Sequence, residues 1–343
     1  MGLSDAWAGL KNRPKMENQT MNDNLPATIP TDLTDRIDRY TQLAKGALSD
    51  NTERAYRADT AVFNRWCAEQ GREPLPASPE TVAAFIDEMA ENHRPATIRR
   101  YIAALTKLHT AAGLPSPARS EIVRLAIKRM NRSRGTRQEQ ATALTRDVID
   151  RIIASCGDSL IDLRNIALVS LAYDTLTRRS EIVGINVEDI SVSEDGNGTV
   201  LIRRSKTDQE GAGDVRFLAA DTVSAIQRWT EAAQIQEGAL FRSVSKGGVI
   251  GKRIDTRDVP RIFKRLADRA GVAFDGISGH STRVGAAQDM AAAGLGVTEI
   301  MQSGGWKSPT MVGRYTERLM ARRGAAAKLA ALQGRAPITN GTS

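Results

Sequence analysis

The chain has 343 residues, enough for two domains with separate cores, and carries a formal net charge of +8 with a pI of about 9.7. Such basicity favours a polyanionic partner, either nucleic acid or an anionic membrane surface. No apolar run is long enough to span a membrane and no apolar signal-peptide core follows the N-terminus, so we expect a cytoplasmic protein without a membrane partner. Cys67 and Cys156 fall in separate predicted domains and are interpreted as reduced thiols, and the scattered His and Cys residues predict no metal site.

The first predicted segments are a tail and a helical domain. Residues 1–35 show no sustained helical or strand period and are interpreted as a flexible tail. Apolar residues then recur at helical spacing, which predicts a helical domain over residues 36–130 with four amphipathic helices from Ser49 onward. In the first of these helices the predicted apolar stripe consists of Ala55, Ala58, Val62 and Trp66.

Cationic side chains lie on or near the polar faces of these predicted helices. They are Arg54, Arg57, Arg99, Arg100 and Lys107. A solvated helix surface is the usual explanation of such charges. In a chain with this net basicity, contact with phosphates is the competing explanation.

The second half of the chain begins after a basic stretch. Residues 131–141 lack apolar periodicity and predict an interdomain linker, either an ordinary solvated connector or part of a clamp around DNA. Residues 142–343 predict a second domain that is mostly helical. Within it, Thr199–Leu218 has two alternating runs around a glycine-containing loop, which predicts a β-hairpin with Lys206 at the end of its first strand. The predicted fold class is therefore mainly α with a small antiparallel β-sheet.

Residues 278–315 concentrate the side chains that could carry chemistry. His280 and Arg283 lie one turn apart near the start of a predicted helix, so an imidazole and a guanidinium share one face. Trp306 follows a Gly-Gly turn, and Tyr315 lies in the next helical run. Positioned cations beside a phenol suit phosphoryl transfer onto tyrosine, because that reaction depends mainly on placed charge. Each of these residues also has a plainer interpretation as a structural side chain.

His-x-x-Arg, then Gly-Gly-Trp, then a tyrosine nine residues after the tryptophan resembles the signature of the tyrosine recombinase (phage integrase) family. The resemblance extends upstream through LAYDTLTRRSEI to about Ser49. It implies an enzyme that cleaves DNA through a 3′-phosphotyrosine and exchanges strands through a Holliday junction, without a metal or nucleotide cofactor. It also implies a two-domain DNA clamp, with a core-binding domain followed by a catalytic domain.

The resemblance assigns roles to individual residues. Tyr315 would be the nucleophile, and Arg178 and Arg283 would stabilise charge on the phosphate. Glu181 would orient Arg178, and because only Arg178 has this glutamate three residues later, it is preferred over Arg179 as the catalytic arginine. The other implied catalytic residues are Lys206 as proton donor to the leaving oxygen, His280 at the phosphate or in proton transfer, and Trp306 as an N–H contact.

The resemblance also implies contacts with double-stranded DNA. The expected DNA-binding residues are Thr52, Arg54, Arg99, Arg100 and Arg257, the last as a reader of guanine in the major groove. We expect an inverted-repeat recombination site, with dimers on single sites and a homotetramer on two paired sites. A short helix near residues 324–333 is expected to dock on the neighbouring protomer as an exchange helix.

Two other functions stay open at this point. A type IB topoisomerase uses the same chemistry to relax DNA as a monomer, although the short chain and the N-terminal helices favour a recombinase. Residues 286–305 also fit the helix-turn-helix of a non-catalytic repressor. Such a repressor would have no reason to keep Tyr315, Lys206 and both arginines in register.

Overall fold

The computed structural model describes residues 31–137, 139–204 and 213–335. The chain divides into two compact units between Gln138 and Glu139, and each unit has a hydrophobic core of its own. None of the helices in the described ranges is long and apolar enough to cross a membrane.

The described part of the first unit is helical, and its helices begin at capping residues that are visible in the sequence. Ser49, Ser78 and Ser120 each accept a hydrogen bond from a main-chain N–H in the first turn, and Pro79 and Pro95 occupy first-turn positions that need no donor. The helices are α1 (Thr31–Leu43), α2 (Asp50–Glu69), α3 (Pro79–Asn92), α4 (Pro95–Ala111) and α5 (Glu121–Arg134). The four predicted amphipathic helices correspond to α2–α5.

Aromatic rings from three helices form the core of the first unit. Phe63 and Trp66 of α2 contact Phe85 of α3, with ring centroids 5.0 and 5.2 Å from that of Phe85. Tyr101 of α4 approaches the same phenylalanine, at 5.8 Å. Tilted and edge-to-face pairs of this kind contribute about 0.5–1.5 kcal/mol each beyond the burial of apolar area.

Two boundaries of the first unit differ from the sequence prediction. Helix α1 begins at Thr31, inside the predicted tail, because Leu33 and Ile37 are buried in a small cluster with Leu108 of α4. Helix α5 continues to Arg134, so the first residues of the predicted linker are helical. A charged sequence can extend a helix in this way when the preceding turns already bury an apolar face.

The buried face of α2 is also rotated relative to the predicted apolar stripe, and Ala58 of that stripe is exposed. The physical reason is Asp59, whose buried carboxylate accepts hydrogen bonds at 2.7 and 2.8 Å from the guanidinium of Arg100 on α4. A buried carboxylate needs such a partner because desolvating an unpaired charge is costly. A polar pair therefore helps to align α2 with α4, and hydrophobic periodicity does not reveal it.

The second unit combines helices with two small sheets. Its helices are α6 (Arg146–Ser155), α7 (Leu160–Thr175), α8 (Arg179–Gly184), α9 (Ala220–Ala232), α10 (Asp258–Arg269), α11 (Ser281–Ala292), α12 (Val297–Gly304), α13 (Pro309–Arg323) and α14 (Ala325–Leu332). Its strands are β1 (Ile190–Val192), β2 (Gly198–Ile202), β3 (Asp214–Leu218), β4 (Arg242–Val244) and β5 (Ile250–Arg253). The predicted fold class, mainly α with a small antiparallel sheet, is confirmed.

The predicted hairpin is the β2–β3 pair. These strands are antiparallel, with Val200 opposite Arg216 and Ile202 opposite Asp214. Strand β1 pairs with the other edge of β2 and was not predicted, because its three residues are too few to show a strand period. Lys206 belongs to residues 205–212 between β2 and β3, which lie outside the described residues.

Helix α7 runs through the core of the second unit. Every residue from Asp162 to Ala172 is buried, so protein surrounds this helix on all sides. The polar groups within it are paired, as in the ion pair between Asp162 and Arg269 at 2.6 Å. Immediately after α7, the fully buried Leu176 adopts a left-handed conformation with φ 49° and directs the chain toward Arg178.

Candidate active site

Arg178 caps the N-terminus of α8, and Glu181 in the first turn of that helix binds it twice. The main-chain N–H of Arg178 donates to Oε2 of Glu181 at 2.7 Å, and Nη1 donates to Oε1 at 2.7 Å. Glu181 is buried, whereas the side chain of Arg178 is 20% exposed. The neighbouring Arg179 is exposed. The carboxylate therefore orients Arg178 while part of the guanidinium stays accessible to a ligand.

Arg283 reaches the same region from α11 and is almost completely buried, with 2% exposure. Its Nη1 donates to the carbonyl of Leu176, and its Nη2 donates to that of Gly304 at 3.2 Å. A left-handed conformation is unfavourable for a residue with a bulky side chain such as Leu176. The bond from Arg283 helps to hold this turn, which leads directly into Arg178, so Arg283 helps to position Arg178.

The C-terminal end of α12 is bound by two arginines. Carbonyls in the last turn of a helix lack partners within the helix, and here they belong to Met301, Gln302, Ser303 and Gly304. Arg216 of β3 donates to the carbonyl of Gln302 at 3.0 Å and also to that of Ser303. Arg283 donates to the carbonyl of Gly304, and the main-chain N–H of Trp306 donates to that of Met301 at 2.9 Å. Cations at this end also interact favourably with the helix dipole. The segment that leads into Trp306 is thereby fixed from two sides.

Trp306 contacts both Arg283 and Tyr315. The guanidinium carbon of Arg283 lies 4.7 Å from the indole centroid, and the ring of Tyr315 lies 5.7 Å from it at an interplanar angle of 73°. Gly304 makes room for the indole, because a Cβ at that position would overlap its six-membered ring. Gly305 follows with a left-handed φ of 61°, which glycine adopts readily. The proposed nucleophile is thus packed against the tryptophan that covers the buried arginine.

Tyr315 lies on α13, which begins at Ser308 as the capping residue and Pro309 in the first turn. The tyrosine is 8% exposed. Its main-chain carbonyl accepts two side-chain hydrogen bonds, from Nε2 of Gln140 and Nε2 of Gln288, each at 3.0 Å. Both the ring and the peptide group of this residue are therefore held by neighbours.

Positive charge dominates the electrostatics of the cluster. Burial, followed by the charge of Arg178, lowers the pKa of Arg283 to about 10, so this group stays cationic at neutral pH. Partial burial, followed by the charges of Arg283, Arg178 and Arg179, lowers the pKa of His280. The imidazole is therefore predominantly neutral near pH 7 and keeps a ring nitrogen that can accept a proton.

The cluster is suited to chemistry at a phosphodiester. Guanidinium groups match the non-bridging oxygens of a phosphate, and fixed cations in a water-poor site stabilise the charge that develops during transfer. A phenol becomes a nucleophile once its proton is removed. Among the described residues, no three His, Cys, Asp or Glu side chains gather closely enough to hold a metal ion.

Most of the predicted catalytic side chains meet in this cluster. The structure brings together Arg178, Glu181, His280, Arg283, Trp306 and Tyr315. Lys206 lies outside the described residues, so its place in the site stays a prediction.

The predicted DNA contacts belong to other elements of the chain, and several have partners within the protein. Thr52 and Arg54 are in the first turns of α2, where Arg54 donates to Asn51 at 3.0 Å. On α4, Arg99 donates to Asn131 at 2.7 Å and Arg100 binds Asp59. Arg257 directly precedes α10, is exposed and donates to Asp255 at 2.9 Å. Their roles in DNA binding stay predictions.

Three residues at the site were not predicted from the sequence. Arg216 had a usable signal, because strand alternation places it on the same face as the buried Val200 opposite it, and an inward-facing arginine needs a partner. Gln288 lies in α11 five residues after Arg283, and nothing in its local sequence sets it apart. Gln140 fell in the predicted linker, where no periodicity indicates a contact.

Two family models match the chain. Residues 142–322 match the phage integrase family, and residues 37–113 match the phage integrase N-terminal SAM-like domain. Recombinase cre of Escherichia phage P1 is 33% identical over 334 residues, which cover 90% of this chain and 97% of that protein.

Solved structures of recombinases have a similar fold. The XerH site-specific recombinase bound to a palindromic difH substrate has a TM-score of 0.58 at 15% identity, covering 85% of this chain and 95% of its own. A lambda integrase tetramer bound to a Holliday junction has a TM-score of 0.58 at 18% identity, covering 82% of this chain and 76% of its own. At these identities the likeness establishes the fold. Because the first family model spans more than half of the sequence and cre aligns with nearly all of it, the chain belongs to the phage integrase family of tyrosine recombinases.

Proposed function

We propose that this protein is a site-specific DNA recombinase of the tyrosine type. The observation that carries the proposal is the contact of Trp306 with both Arg283 and Tyr315, because it places a phenol beside a buried cation. Family membership and the similarity to cre support the same function. We further propose that the enzyme acts in the cytoplasm, on nucleoid, phage or plasmid DNA.

In the proposed first step, the phenolic oxygen of Tyr315 attacks the phosphorus of a DNA phosphodiester. An oxygen–phosphorus bond forms, the bond to the 5′-oxygen breaks, and a 3′-phosphotyrosine and a 5′-hydroxyl result. Arg178 and Arg283 stabilise the negative charge on the non-bridging oxygens. The neutral imidazole of His280 accepts the phenolic proton or binds the phosphate, and we assign to Lys206 the protonation of the leaving oxygen.

The second step is the reverse reaction with a different strand. A 5′-hydroxyl from the partner site attacks the phosphotyrosine, which restores the phosphodiester and frees Tyr315. One exchange gives a Holliday junction and a second resolves it. Because the phosphotyrosine conserves the energy of the broken bond, the reaction needs no nucleotide to reseal the strand.

Arg178 is our choice for the first catalytic arginine. Its guanidinium shares the carboxylate of Glu181 and remains partly exposed, so it can bind a phosphate oxygen without losing its orientation. Arg179 is the first residue of α8 and is exposed. We expect Arg179 to add to the positive field around His280 without contacting the reacting phosphate.

Assembly on DNA follows from identical protomers on symmetric sites. We propose an inverted-repeat target bound by a dimer, with two such complexes pairing as a homotetramer. The palindromic substrate of XerH and the lambda integrase tetramer on a Holliday junction support this assembly by analogy.

Helix α14 is the proposed contact between protomers. None of its residues is buried, and Leu329 and Leu332 are 51% and 86% exposed. A helix of this length is marginal in water, so an apolar partner surface would stabilise it. We propose that α14 docks on the next protomer in a head-to-tail cycle and so couples neighbouring active sites.

The proposed DNA-binding arginines differ in whether a partner within the protein already neutralises their charge. Arg54, Arg99 and Arg257 are exposed. The first two donate to the neutral amides of Asn51 and Asn131, which leave the positive charge available to phosphate or base. Arg100 is already neutralised by the buried Asp59. We therefore expect Arg100 to contribute least to DNA affinity. Thr52 and Arg257 complete the proposed set.

A nicked suicide substrate tests the proposed function, after bound DNA has been selected from a random library. The wild-type protein should yield a protein–DNA adduct that survives denaturing electrophoresis, whereas Tyr315→Phe should bind the site and yield none. A repressor would bind without any adduct, and a topoisomerase would relax supercoiled plasmid that lacks the selected site. A wild-type protein that binds but never forms an adduct would overturn the proposal.

A further inference from the structure

Two glutamine side chains converge on the peptide carbonyl of the proposed nucleophile. Nε2 of Gln140 and Nε2 of Gln288 each donate to the main-chain oxygen of Tyr315 at 3.0 Å, and both contacts are partly buried. The two amides come from segments far apart in the chain, one just before α6 and one within α11. They meet at one atom of the residue on which the proposed chemistry depends.

The carbonyl of Tyr315 does not need these donors to be satisfied. Only the last turn of a helix has carbonyls without intrahelical partners, and Tyr315 lies well inside α13, which ends at Arg323. Two additional donors on an interior carbonyl therefore do more than fill a vacant acceptor. They restrain the position of this peptide group relative to the segments that carry the amides.

Both segments are themselves firmly held. Gln288 lies on the same helix as Arg283, so its amide connects the peptide group of Tyr315 to the helix that carries the buried arginine. The segment after Gln140 is bound by main-chain hydrogen bonds from Thr142 to Gly276 and from Leu144 to Ser281, at 3.1 and 3.0 Å.

A glycine allows this segment to cross α11 closely. A Cβ at residue 285 would overlap the carbonyl of Leu144, so only Gly285 permits the approach. Gln140 is consequently presented to Tyr315 from a fixed backbone, although it lies almost directly after the junction of the two units.

We propose that Gln140 and Gln288 are positioning residues for the nucleophile, an inference that rests on the proposed recombinase function. Their shared acceptor sets the depth of the Tyr315 ring against Trp306 and therefore the distance from the phenolic oxygen to the phosphate held by the arginines. A displacement of about 1 Å in such a geometry can slow a reaction by about 100-fold.

The test compares Gln140→Leu, Gln288→Leu and the double variant with wild type. Single-turnover cleavage of the suicide substrate is measured at saturating protein, together with site affinity and thermal unfolding. We expect each single variant to cleave about tenfold more slowly and the double variant about 100-fold more slowly, with site affinity unchanged. Gln227→Leu, at an exposed glutamine of α9, is the matched control and should cleave at the wild-type rate.

A substrate with sulfur in place of the bridging 5′-oxygen separates positioning from proton donation. Sulfur leaves without protonation, so this substrate should restore cleavage to Lys206→Ala but not to either glutamine variant. The isosteric Gln140→Glu supplies a second readout, because a carboxylate cannot donate but a carboxylic acid can. Its rate relative to wild type should rise as the pH falls from about 8 to about 5.

The outcomes are distinguishable. If the wild-type protein cleaves and the double variant cleaves at the same rate, the positioning role alone is overturned. The same conclusion follows if the sulfur substrate restores cleavage to the glutamine variants. It also follows if their loss of cleavage accompanies an equal loss of site affinity and folding. If the cleavage rate of Gln140→Glu relative to wild type does not change across that pH range, the hydrogen bond donated by Gln140 does not position the nucleophile. Failure of the wild-type protein to form any adduct would instead overturn the recombinase function, and the positioning role with it.

Discussion

Glu181 accepts hydrogen bonds from both the main chain and the side chain of Arg178, each at 2.7 Å. One buried carboxylate therefore fixes the start of α8 and the direction of a guanidinium at the same time. Since the carboxylate is buried, the arginine is also the partner that keeps it satisfied. Removing Glu181 should therefore disturb the orientation of Arg178, and removing Arg178 should leave the buried carboxylate of Glu181 without its cationic partner.

Glu181→Gln tests this relationship. The amide keeps the size of the side chain, but it loses the charge and can offer only one acceptor oxygen to the two donors of Arg178. We expect cleavage of the suicide substrate to slow by about 10- to 100-fold, by analogy with the loss of a residue that orients a metal ligand. Affinity for uncleaved site DNA should change little. Wild-type cleavage in this variant would show that Arg178 does not depend on Glu181.

Arg178→Ala and Arg179→Ala form a matched pair of neighbouring cations. The first removes the guanidinium oriented by Glu181 and should reduce single-turnover cleavage by about 100- to 1,000-fold. The second removes an exposed charge and should reduce it much less. Gel-shift affinity for the site is the control for both. The reverse order of effects would move the catalytic assignment to Arg179.

Arg216→Met tests the connection between β3 and the end of α12. It removes the donor to the carbonyl of Ser303, whereas the carbonyl of Gln302 keeps the main-chain N–H of Gly305. An unsatisfied buried group costs about 1–3 kcal/mol. The midpoint of thermal unfolding should fall, and cleavage should slow because the segment leading to Trp306 loses one of its supports. Arg228→Met removes an exposed ion pair with Asp158 and should leave both quantities near wild type. Equal behaviour of the two variants would contradict the role of Arg216.

The buried His109 predicts that acid destabilises the first unit. Its Nε2 accepts the main-chain N–H of Ala77 at 3.1 Å and its Nδ1 donates to the carbonyl of Leu105 at 2.8 Å, an arrangement that only the neutral ring allows. Burial lowers its pKa. The unfolded chain therefore binds a proton more readily than the folded one, and the free energy of unfolding should decrease as the pH falls below the unfolded value of about 6.5.

Urea denaturation at pH 7.5 and pH 5.5 measures this effect. His109→Gln should lose less stability than wild type between the two conditions, because its side chain does not titrate. Some loss should persist in the variant, since the pKa of His280 in the second unit is also lowered. An identical loss in both proteins would show that His109 does not contribute.

Ending the chain at Arg323 tests helix α14. The shortened protein should fold and bind a half-site, because no residue of α14 is buried in its own unit. It should assemble poorly on paired full sites and recombine slowly, both followed by native gels and product formation. Loss of half-site binding would place the helix in its own subunit's fold. Full recombination by the shortened protein would show that the helix is dispensable.

Much of the fold could be predicted because its signals are local. Apolar spacing identifies α2–α5, serine caps mark the starts of α2, α3 and α5, and alternation identifies the β2–β3 hairpin. The strand β1 is too short to show a period, and α1 depends on the burial of Leu33 and Ile37 against α4, a contact that no local pattern encodes. The rotation of the buried face of α2 was likewise not predictable from local sequence, because it depends on the ion pair between Asp59 and Arg100 of α4.

The candidate site was predictable where a motif names its members. Arg178, His280, Arg283, Trp306 and Tyr315 all belong to recognisable short runs. Arg216, Gln140 and Gln288 do not, because they act on main-chain carbonyls, which every residue has.

The hydrogen bond between Gln140 and Tyr315 joins residues 175 positions apart, and the hydroxyl of Thr142 donates to the carbonyl of Asp275, 133 positions later. During synthesis from the N-terminus, the early partners of these contacts leave the ribosome long before the late ones exist. Contacts of such high sequence separation form slowly, because closing a long loop costs entropy. A chain that stops before residue 315 can still form the core of its first unit, whose residues all come earlier, but it lacks the proposed nucleophile and the carbonyl that the two glutamines bind. We therefore expect incomplete copies of the chain to be unable to form a covalent adduct with DNA.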